Sequence, residues 1–417
     1  MITPAFSLTA TERVLPRLAL DFTTASLDPR ITFTRVGATA TRVNASGFVE
    51  SVAADTPRFD FNSITLVCRG LLIEEARTNL LLQSQNFGTS WSNTNTSEDV
   101  DVAISPDGTQ NADKLIVNNG SAVGGSQITQ IVSKAATATT YTYSVFGQAA
   151  GLNRMWLIVS DGASFSNRAN FAISLVDGAV TISAGTAGTF TAASGAVTAF
   201  KDGWYRASLT FTSSTETSVV ARIYPLDSSI TTGDGVKGIN IWGAQLEAGA
   251  FATSYIPTTT TALTRNADVA TMTGTNFSDW YNASEGGVVA RVLPSTVSGT
   301  RPALQFDDAT VNDAITLRGV TTNPELVIID GGSPQAQIDA GTIAANTAYN
   351  LGAAWNINNC AASVNGGAAV TDNSATIPTA TQARLGSDGS NYLNGHLQTL
   401  RYWPQRIINA EMQAFSK

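Results

Sequence analysis

Charged residues are scarce in this chain. Lys, Arg, Asp and Glu together make up 13% of its 417 residues, whereas they make up about 25% of an average soluble protein. Thr, Ser, Ala, Asn and Gly replace them, a composition that favours strands, turns and large uncharged surfaces. The net charge is −8 and the lysines and arginines form no cluster. A nucleic-acid partner is therefore not expected, because phosphate backbones require a basic patch.

Cysteine and histidine are scarcer still. Cys68 and Cys360 cannot form a disulfide framework, and we expect both to be small buried apolar side chains. With His396 as the only histidine, the usual tetrahedral zinc set is excluded. A Gly-x-Ser-x-Gly elbow and a GxxxxGK[ST] loop are both missing from the sequence. We therefore expect no catalysis by His396 and predict that the chain is not an enzyme and requires no cofactor.

Long apolar runs are missing as well. No stretch approaches the ~20 apolar residues of a membrane span. The first ten residues, MITPAFSLTA, lack the basic and apolar parts of a signal peptide. We therefore expect no membrane insertion and synthesis in a cytoplasm.

The length and the spacing of apolar residues indicate several β domains. A chain of 417 residues exceeds one ordinary core. Strand-like segments recur every ten to fifteen residues between Lys114 and Gly243, near the spacing of an all-β sandwich. In the clearest of them, Trp204–Thr212, the inward set comprises Tyr205, Ala207, Leu209 and Phe211. Opening and closing strands far apart in sequence, with hairpins between them, predict a jelly roll.

The stretch Gly238–Thr258 separates the two halves of the chain. Ile239 and Ile241 alternate with Asn240 and Trp242 as in a strand. Gln245 to Gly249 is expected to turn the chain out of that strand, ahead of a threonine tether at 258–261. We thus predict tandem antiparallel β-sandwiches in an all-β fold, preceded by an irregular β-containing segment. The predicted division is an N-terminal segment at 1–85, a jelly roll at 86–258, a linker arm at 259–279 and a second sandwich at 280–417.

Tryptophan and tyrosine provide candidate carbohydrate contacts. Sugar rings stack on exposed aromatic faces while nearby polar groups bind the hydroxyls. Trp156 lies close to Arg154 in the sequence, and Tyr224 lies close to Arg222. These four residues are the predicted carbohydrate-binding set, with core packing of the aromatic rings as the alternative.

Carboxylates provide the remaining candidates. Glu74, Glu75 and Arg77 form the densest run of charges, which we interpret as an ion pair that holds this segment to a neighbouring domain or subunit. Asp307, Asp308 and Asp388 offer oxygen ligands for a structural calcium ion, with plain turns as the alternative. A glycosidase would need two carboxylates facing each other across a groove. Its candidates are Glu216, Asp227, Asp234, Glu247, Asp307 and Asp308.

Several motifs resemble a family of tailed-bacteriophage structural proteins, described as tail, tail-fibre or minor virion proteins. They are LALDFTTASLDPRITFTR (18–35), PRFDF (57–61), GLLIEEARTNLL (70–81), GAQLEAGAFATSYIPT (243–258) and TRNAD (264–268). The resemblance implies a virion component assembled in the host cytoplasm. Its partners would be other virion proteins, and the chain would form a homo-oligomer, with a trimer favoured. The resemblance supplies no catalytic residues.

Two further resemblances concern the sandwiches. The layout of 86–258 is similar to jelly-roll carbohydrate-binding modules. In 280–417 an NGG hairpin at 365–367, LNGHL at 393–397, an aromatic strand and a short helix near Asn409 resemble concanavalin-A-like (laminin-G-like) lectin domains. The function these features favour is that of a tail-fibre or receptor-binding component that projects β-sandwiches to bind host-surface glycans. A purely structural capsid or collar decoration protein and a polysaccharide depolymerase are the alternatives.

Overall fold

The fold is built from antiparallel strands. A computed structural model describes residues 15–37, 40–162 and 165–417. Within these ranges the strands form four large sheets and two two-stranded sheets, so the predicted all-β class is confirmed. No helix there is long and apolar enough to cross a membrane. The first ten residues, on which the signal-peptide prediction rests, lie outside the described ranges.

Seven short strands precede the middle sandwich. They are β1 (Leu18–Asp21), β2 (Thr32–Thr34), β3 (Ala40–Val43), β4 (Val49–Val52), β5 (Phe59–Phe61), β6 (Cys68–Ile73) and β7 (Arg77–Asn79). Strands β3 and β4 pair only with each other among the described strands. Each of the other five belongs to a sheet that also contains strands from later in the chain.

The middle sandwich consists of two six-stranded sheets. Its strands are β8 (Ser92–Thr94), β9 (Thr96–Ile104), β10 (Gln110–Val117), β11 (Gln127–Ser133), β12 (Thr140–Ala150), β13 (Arg154–Asp161), β14 (Arg168–Ser174), β15 (Val180–Ala187), β16 (Thr191–Ala199), β17 (Tyr205–Thr212), β18 (Ser218–Leu226) and β19 (Gly238–Ala248). One sheet has the order β16-β17-β12-β19-β10-β9, and the other β15-β14-β13-β18-β11-β8. The chain crosses between the two sheets repeatedly, with one to three successive strands in a sheet before each crossing, as in a jelly roll.

Alternating side chains fill the core of this sandwich. In β17, Ala207, Leu209 and Phe211 are buried in it, as predicted, and Tyr205 packs at its margin. In β13 the inward set is Met155, Leu157 and Val159. The residues between them therefore point to the outer surface, because successive side chains of a strand face opposite ways.

Strand β19 continues where the sequence predicted a turn. Gln245 and Glu247 lie inside it, and the register with β12 shifts opposite Gly243, whose φ is +63°. This irregularity resets the alternation, so that Ile239 and Ile241 face the core before it and Ala244 and Leu246 after it. The prediction that the chain leaves the strand at Gln245 was wrong. The bulge keeps Ala244 and Leu246 in the core, whereas strict alternation would have turned them to the surface.

Twelve strands remain, and all but the first of them lie in the second sandwich. They are β20 (Leu263–Arg265), β21 (Val269–Thr273), β22 (Glu285–Pro294), β23 (Thr300–Asp307), β24 (Ala314–Val320), β25 (Asn323–Asp330), β26 (Ser333–Asp339), β27 (Tyr349–Asn356), β28 (Asn359–Val364), β29 (Val370–Asp372), β30 (Gln382–Leu385) and β31 (Gly395–Trp403). Two short α-helices are α1 (Thr275–Ser278) and α2 (Asn409–Phe415). One sheet has the order β29-β28-β27-β22-β31-β6-β5 with β1 also on β31, and the facing sheet has the order β2-β21-β30-β23-β24-β25-β26.

The sheets do not coincide with the division that the sequence suggested. Strands of the segment 1–85 lie in both sheets of the second sandwich. The segment 259–279, expected to be a linker arm, contributes β20, which pairs with β7, and β21, which lies between β2 and β30. The physical reason is burial: apolar side chains of these short strands, such as Leu18 and Phe59, belong to the core of the second sandwich.

Candidate functional site

The predicted carbohydrate-binding residues lie together on the outer face of the middle sandwich. Strands β13 and β18 are neighbours, and their register places Trp156 opposite Tyr224 and Ile158 opposite Arg222. Arg154 is two residues from Trp156, on the same side of β13. One patch of the outer face therefore collects all four residues, which we call the Trp156 face.

The Trp156 face combines aromatic rings with guanidinium groups. The rings of Trp156 and Tyr224 are 5.2 Å apart and tilted by 44°. Phe165 lies above Arg222, whose guanidinium carbon is 5.4 Å from the ring centroid. Burial raises the pKa of the Tyr224 phenol, although the charge of Arg222 opposes this. The phenol is accordingly neutral at physiological pH.

Neither arginine of the Trp156 face has a carboxylate partner among the described residues. Arg222 donates to the hydroxyl of Ser160 and to Oε1 of Gln127. The side chain of Arg154 makes neither an ion pair nor a hydrogen bond with any residue of the described ranges. A guanidinium group without a carboxylate is available to bind hydroxyl or acidic groups of a ligand.

Trp156 differs from the other tryptophans of the chain. All seven lie in the described ranges, and six of them are buried: Trp91, Trp204, Trp242, Trp280, Trp355 and Trp403. Trp156 is half-buried. Its Nε1 has no hydrogen-bond partner within the described chain, and neither does Oδ1 of the nearby Asn153. Packing within the chain thus leaves the one polar atom of this ring unsatisfied, as it does in the buried Trp242 and Trp355, so partial exposure is what sets Trp156 apart.

Glu74 lies in a buried cluster of charges where the two sandwiches meet. Its Oε2 is 2.8 Å from Nη1 of Arg58 and 3.5 Å from Nη2 of Arg265. Asp268 binds both Arg58 and Arg35. Burial alone would raise the pKa of Glu74, but the charges of Arg265 and Arg58 and hydrogen bonds from Ser254 hold it well below its usual range. We call these five charged residues the arginine cluster.

Glu75 and Arg77 make separate contacts. They pair with each other at 2.6 Å, and Glu75 also binds the side chain of Asn394 in the second sandwich. The guanidinium of Arg77 lies over Phe251, 4.8 Å from the ring centroid. A Cβ at Gly249 would be only 1.3 Å from Nη1 of Arg77, so this position requires glycine. The run Glu74–Arg77 therefore connects parts of the chain that are distant in sequence.

The structure does not form the predicted calcium site. The described residues contain no group of three or more His, Cys, Asp or Glu side chains that could hold a metal ion. Asp307 is buried and already accepts hydrogen bonds from Gln305, Gln382, Arg384 and the backbone of Ala309. Asp308 and Asp388 accept from residues of their own turns. Turn formation and ion pairing occupy these carboxylates, which favours the alternative of plain turns for Asp308 and Asp388 and an internal ion pair for Asp307.

The carboxylates considered for a glycosidase are held in local structure. Asp227 and Asp234 accept backbone N–H groups of their own turns. Glu216 is 3.6 Å from Lys134, and Glu247 is buried with Gln245 and Thr253. The remaining two members are Asp307 and Asp308, described above. Each of these six carboxylates thus has a structural role.

Sequence reasoning missed residues of both the Trp156 face and the arginine cluster. Phe165 carried no local signal, because it meets Arg222 only through the fold. Arg35, Arg58 and Arg265 were missed because arginine is almost never fully buried unless it is paired. In the local charge pattern of the sequence, only the run of Glu74, Glu75 and Arg77 indicated the arginine cluster.

Comparisons with known proteins give distant structural similarities. The Ruminococcus gnavus IT-sialidase CBM40 matches at 11% identity over 33% of this chain and 84% of the module, with a TM-score of 0.28. Domains LG4-5 of the mouse laminin alpha1 chain match at 11% identity over 71% of this chain and 93% of that chain, with a TM-score of 0.23. Trypanosoma rangeli sialidase matches at 10% identity over 72% of this chain and 58% of that chain, with a TM-score of 0.27.

These similarities are to β-sandwich proteins of the carbohydrate-binding and laminin-G types, and their identities and TM-scores are too low to transfer a function. No protein-family model matches the chain. No curated protein matches its sequence. The bacteriophage family therefore stays a prediction.

Proposed function

We propose that this chain is a non-enzymatic component of a tailed-bacteriophage virion and that it binds host-surface glycans through the Trp156 face. Repeated copies on a particle would allow weak individual sites to hold a cell, since linked sites gain affinity without new contacts. The second sandwich and the N-terminal strands would support and orient the middle sandwich.

One observation carries the glycan-binding part of this proposal. Trp156 is the single tryptophan that is not buried, and it is paired with Tyr224 beside Arg154 and Arg222. Aromatic rings accept the apolar faces of sugars, and guanidinium groups bind their oxygens. The virion role is supported by the resemblance of five motifs between residues 18 and 268.

Binding of polysaccharides to the purified full-length chain tests this function. We expect binding to a subset of immobilised host-surface polysaccharides, measured by surface plasmon resonance. Trp156→Ala should weaken it by about tenfold or more, because a central aromatic contact usually contributes above 1 kcal/mol. Labelling of particles with antibody against the chain would test its position in the virion.

Ile131→Ala is the matched control. Ile131 is 68% exposed on the neighbouring strand and pairs with Val220, four residues from Tyr224, which is about 13 Å along the strand. This variant should bind like the unmodified chain. Failure to bind any polysaccharide, or equal loss in both variants, would favour a purely structural role. Release of reducing ends from a polysaccharide would instead indicate a depolymerase.

A further inference from the structure

A second candidate site lies where the middle sandwich meets the second sandwich. It is a cavity of about 410 Å³, within the 300–1,000 Å³ usual for small-molecule sites. Its walls come from the outer face of β16 and β17, from the hairpin β3–β4, and from β5, β6 and β31 at one end of a sheet of the second sandwich. We call it the junction cavity. It shares no lining residue with the Trp156 face.

The wall from the middle sandwich offers hydroxyl groups and aromatic rings. Ser194, Thr198 and Ser208 line the cavity, and their hydroxyls make no hydrogen bond with the described residues. Phe146 and Phe200, which pack edge to face at 4.9 Å, contribute apolar surface. Unpaired hydroxyls beside aromatic rings suit a ligand that has both polar and apolar faces.

His396 contributes an unsatisfied polar atom to the opposite wall. Its side chain is 2% exposed, and its Nε2 lies 2.9 Å from Oδ2 of Asp60. Burial, together with the charge of Arg69, lowers the pKa of the imidazole, although Asp60 opposes this. A neutral ring that donates from Nε2 to a carboxylate must carry a lone pair on Nδ1. That Nδ1 has no partner in the described chain, but it is also buried, so a ligand hydroxyl reaches it only after a small shift of the ring.

Two arginines that line the cavity, Arg69 and Arg206, have no carboxylate at hydrogen-bond distance among the described residues. Among the acids, Glu74 is held in the arginine cluster, and Asp60 accepts from the backbone of Val43 as well as from His396. Arg206 donates only to the neutral oxygens of Thr253 and Ser144, and its Nε is buried without a partner.

Arg69 is the more accessible of the two cations. Its ion pair with Asp60 is long, 3.8 Å from Nη1 to Oδ2, and its guanidinium donates no hydrogen bond to the described residues. With Arg42 paired to Glu50, Arg69 and Arg206 remain to bind an anion.

We propose that the junction cavity binds a monosaccharide-sized polyol that carries one carboxylate, such as a hexuronate. The carboxylate binds Arg69 and Arg206, and the hydroxyls bind His396 and the serines and threonines of β16 and β17. This site does not depend on the glycan-binding function of the Trp156 face, and either can exist without the other.

Calorimetric titration of the full-length chain with glucuronate, glucose and inorganic phosphate tests the proposal. Glucuronate should bind, and glucose should bind at least about tenfold more weakly, because the charge-assisted bonds to arginine are missing. Phosphate should also bind more weakly than glucuronate, because it has no ring to pack on Phe146. Arg69→Gln should weaken glucuronate binding by about tenfold or more.

Arg17→Gln is the matched control, since Arg17 also has no carboxylate at hydrogen-bond distance among the described residues, its side chain donates only to the backbone oxygen of Asp279, and it belongs to neither candidate site. It should leave glucuronate binding unchanged. The absence of glucuronate binding at tens of millimolar, equal binding of glucose, or an equal effect of both substitutions would overturn the proposal. Phosphate binding as tight as that of glucuronate would also overturn it, by indicating a general anion site. Circular dichroism of Arg69→Gln confirms that its fold is retained.

Discussion

The two sandwiches differ in how much of the chain each one needs. The middle sandwich takes all twelve of its strands from one continuous stretch, β8 to β19. The second sandwich takes β1, β2, β5 and β6 from the start of the chain. Eight of its core side chains precede residue 74, namely Leu18, Leu20, Phe22, Ile31, Phe33, Phe59, Leu71 and Ile73. One sandwich is thus locally encoded and the other is completed by distant strands.

This difference explains where the two candidate sites lie. The Trp156 face needs only two neighbouring strands of the locally encoded sandwich. The junction cavity and the arginine cluster need residues from the start, the middle and the end of the chain, such as Arg58, Arg206 and His396. The first site should therefore tolerate changes elsewhere in the molecule, whereas the second should depend on the whole assembly.

Separate expression of fragments 80–258 and 259–417 should give the largest effect. The middle fragment should unfold cooperatively in urea, followed by circular dichroism. The C-terminal fragment should not, because it lacks eight buried apolar side chains. At roughly 1.5–3 kcal/mol each, their loss is about 12–24 kcal/mol as an upper estimate, above the ~5–15 kcal/mol stability of a typical domain.

Addition of fragment 15–79 to the C-terminal fragment provides the control. If the distant strands complete the second sandwich, the mixture should regain strand content that neither fragment shows alone. Cooperative unfolding of 259–417 by itself would contradict the comparison, since the second sandwich would then be as locally encoded as the first.

Removal of Arg58 should have the next largest effect. Arg58 is fully buried and binds Glu74 and Asp268. Arg58→Ala leaves both carboxylates short of a partner inside the protein, which should lower the free energy of unfolding by about 3–5 kcal/mol. Chemical denaturation monitored by tryptophan fluorescence measures the change.

Arg30→Ala is the surface counterpart. The side chain of Arg30 is 35% exposed and pairs with Asp28 at 2.7 Å, and its loss should cost no more than about 1 kcal/mol. Similar values for the two variants would show that the arginine cluster contributes no more than an ordinary surface pair.

Acid should weaken the junction through Glu74. Its pKa is held below its ordinary value of 4.5 by Arg265 and Arg58, which outweigh the effect of burial. A depressed folded-state pKa stabilises the protein above the unfolded-state pKa, and this stability is lost as the pH falls below about 4.5. The difference in unfolding free energy between the unmodified chain and Glu74→Gln should therefore shrink from pH 7 to about pH 3.

Glu50→Gln serves as the reference for this titration. Glu50 pairs with Arg42 at 2.6 Å, and both side chains are partly exposed. Its substitution should cost less than about 1 kcal/mol at neutral pH. If the unfolding free energies of the unmodified chain and of Glu74→Gln differ by the same amount at pH 7 and at pH 3, the arginines do not stabilise the Glu74 carboxylate.

The parts of the fold that sequence could predict are those that local pattern determines. The inward set of β17 and the jelly-roll layout follow from alternation and strand spacing. The pairing of β1 with β31 does not, because a strand of four residues carries too little information to select a partner at the other end of the chain. The bulge at Gly243 could not be predicted either, because a bulge depends on how the strand pairs with its neighbour.

The same limit applies to the candidate sites. Trp156 and Tyr224 could be nominated from their arginine neighbours, but only the register of β13 and β18 places them opposite each other. The arginine cluster contradicts the average behaviour of arginine, which is exposed. Asp60 and His396 meet through β5, β6 and β31, so their contact required knowledge of the sheet order.

Removal of Arg154 should have the smallest effect on stability. Arg154 lies on the locally encoded sandwich and has no partner in the described ranges, so Arg154→Ala should change the unfolding free energy by no more than about 0.5 kcal/mol. Arg58→Ala removes the same side chain from the junction and should cost several times more. Urea titrations of both variants in one buffer make the comparison. A loss of more than about 1 kcal/mol in Arg154→Ala would mean that this arginine supports the fold, and its availability to a ligand would then have to be abandoned.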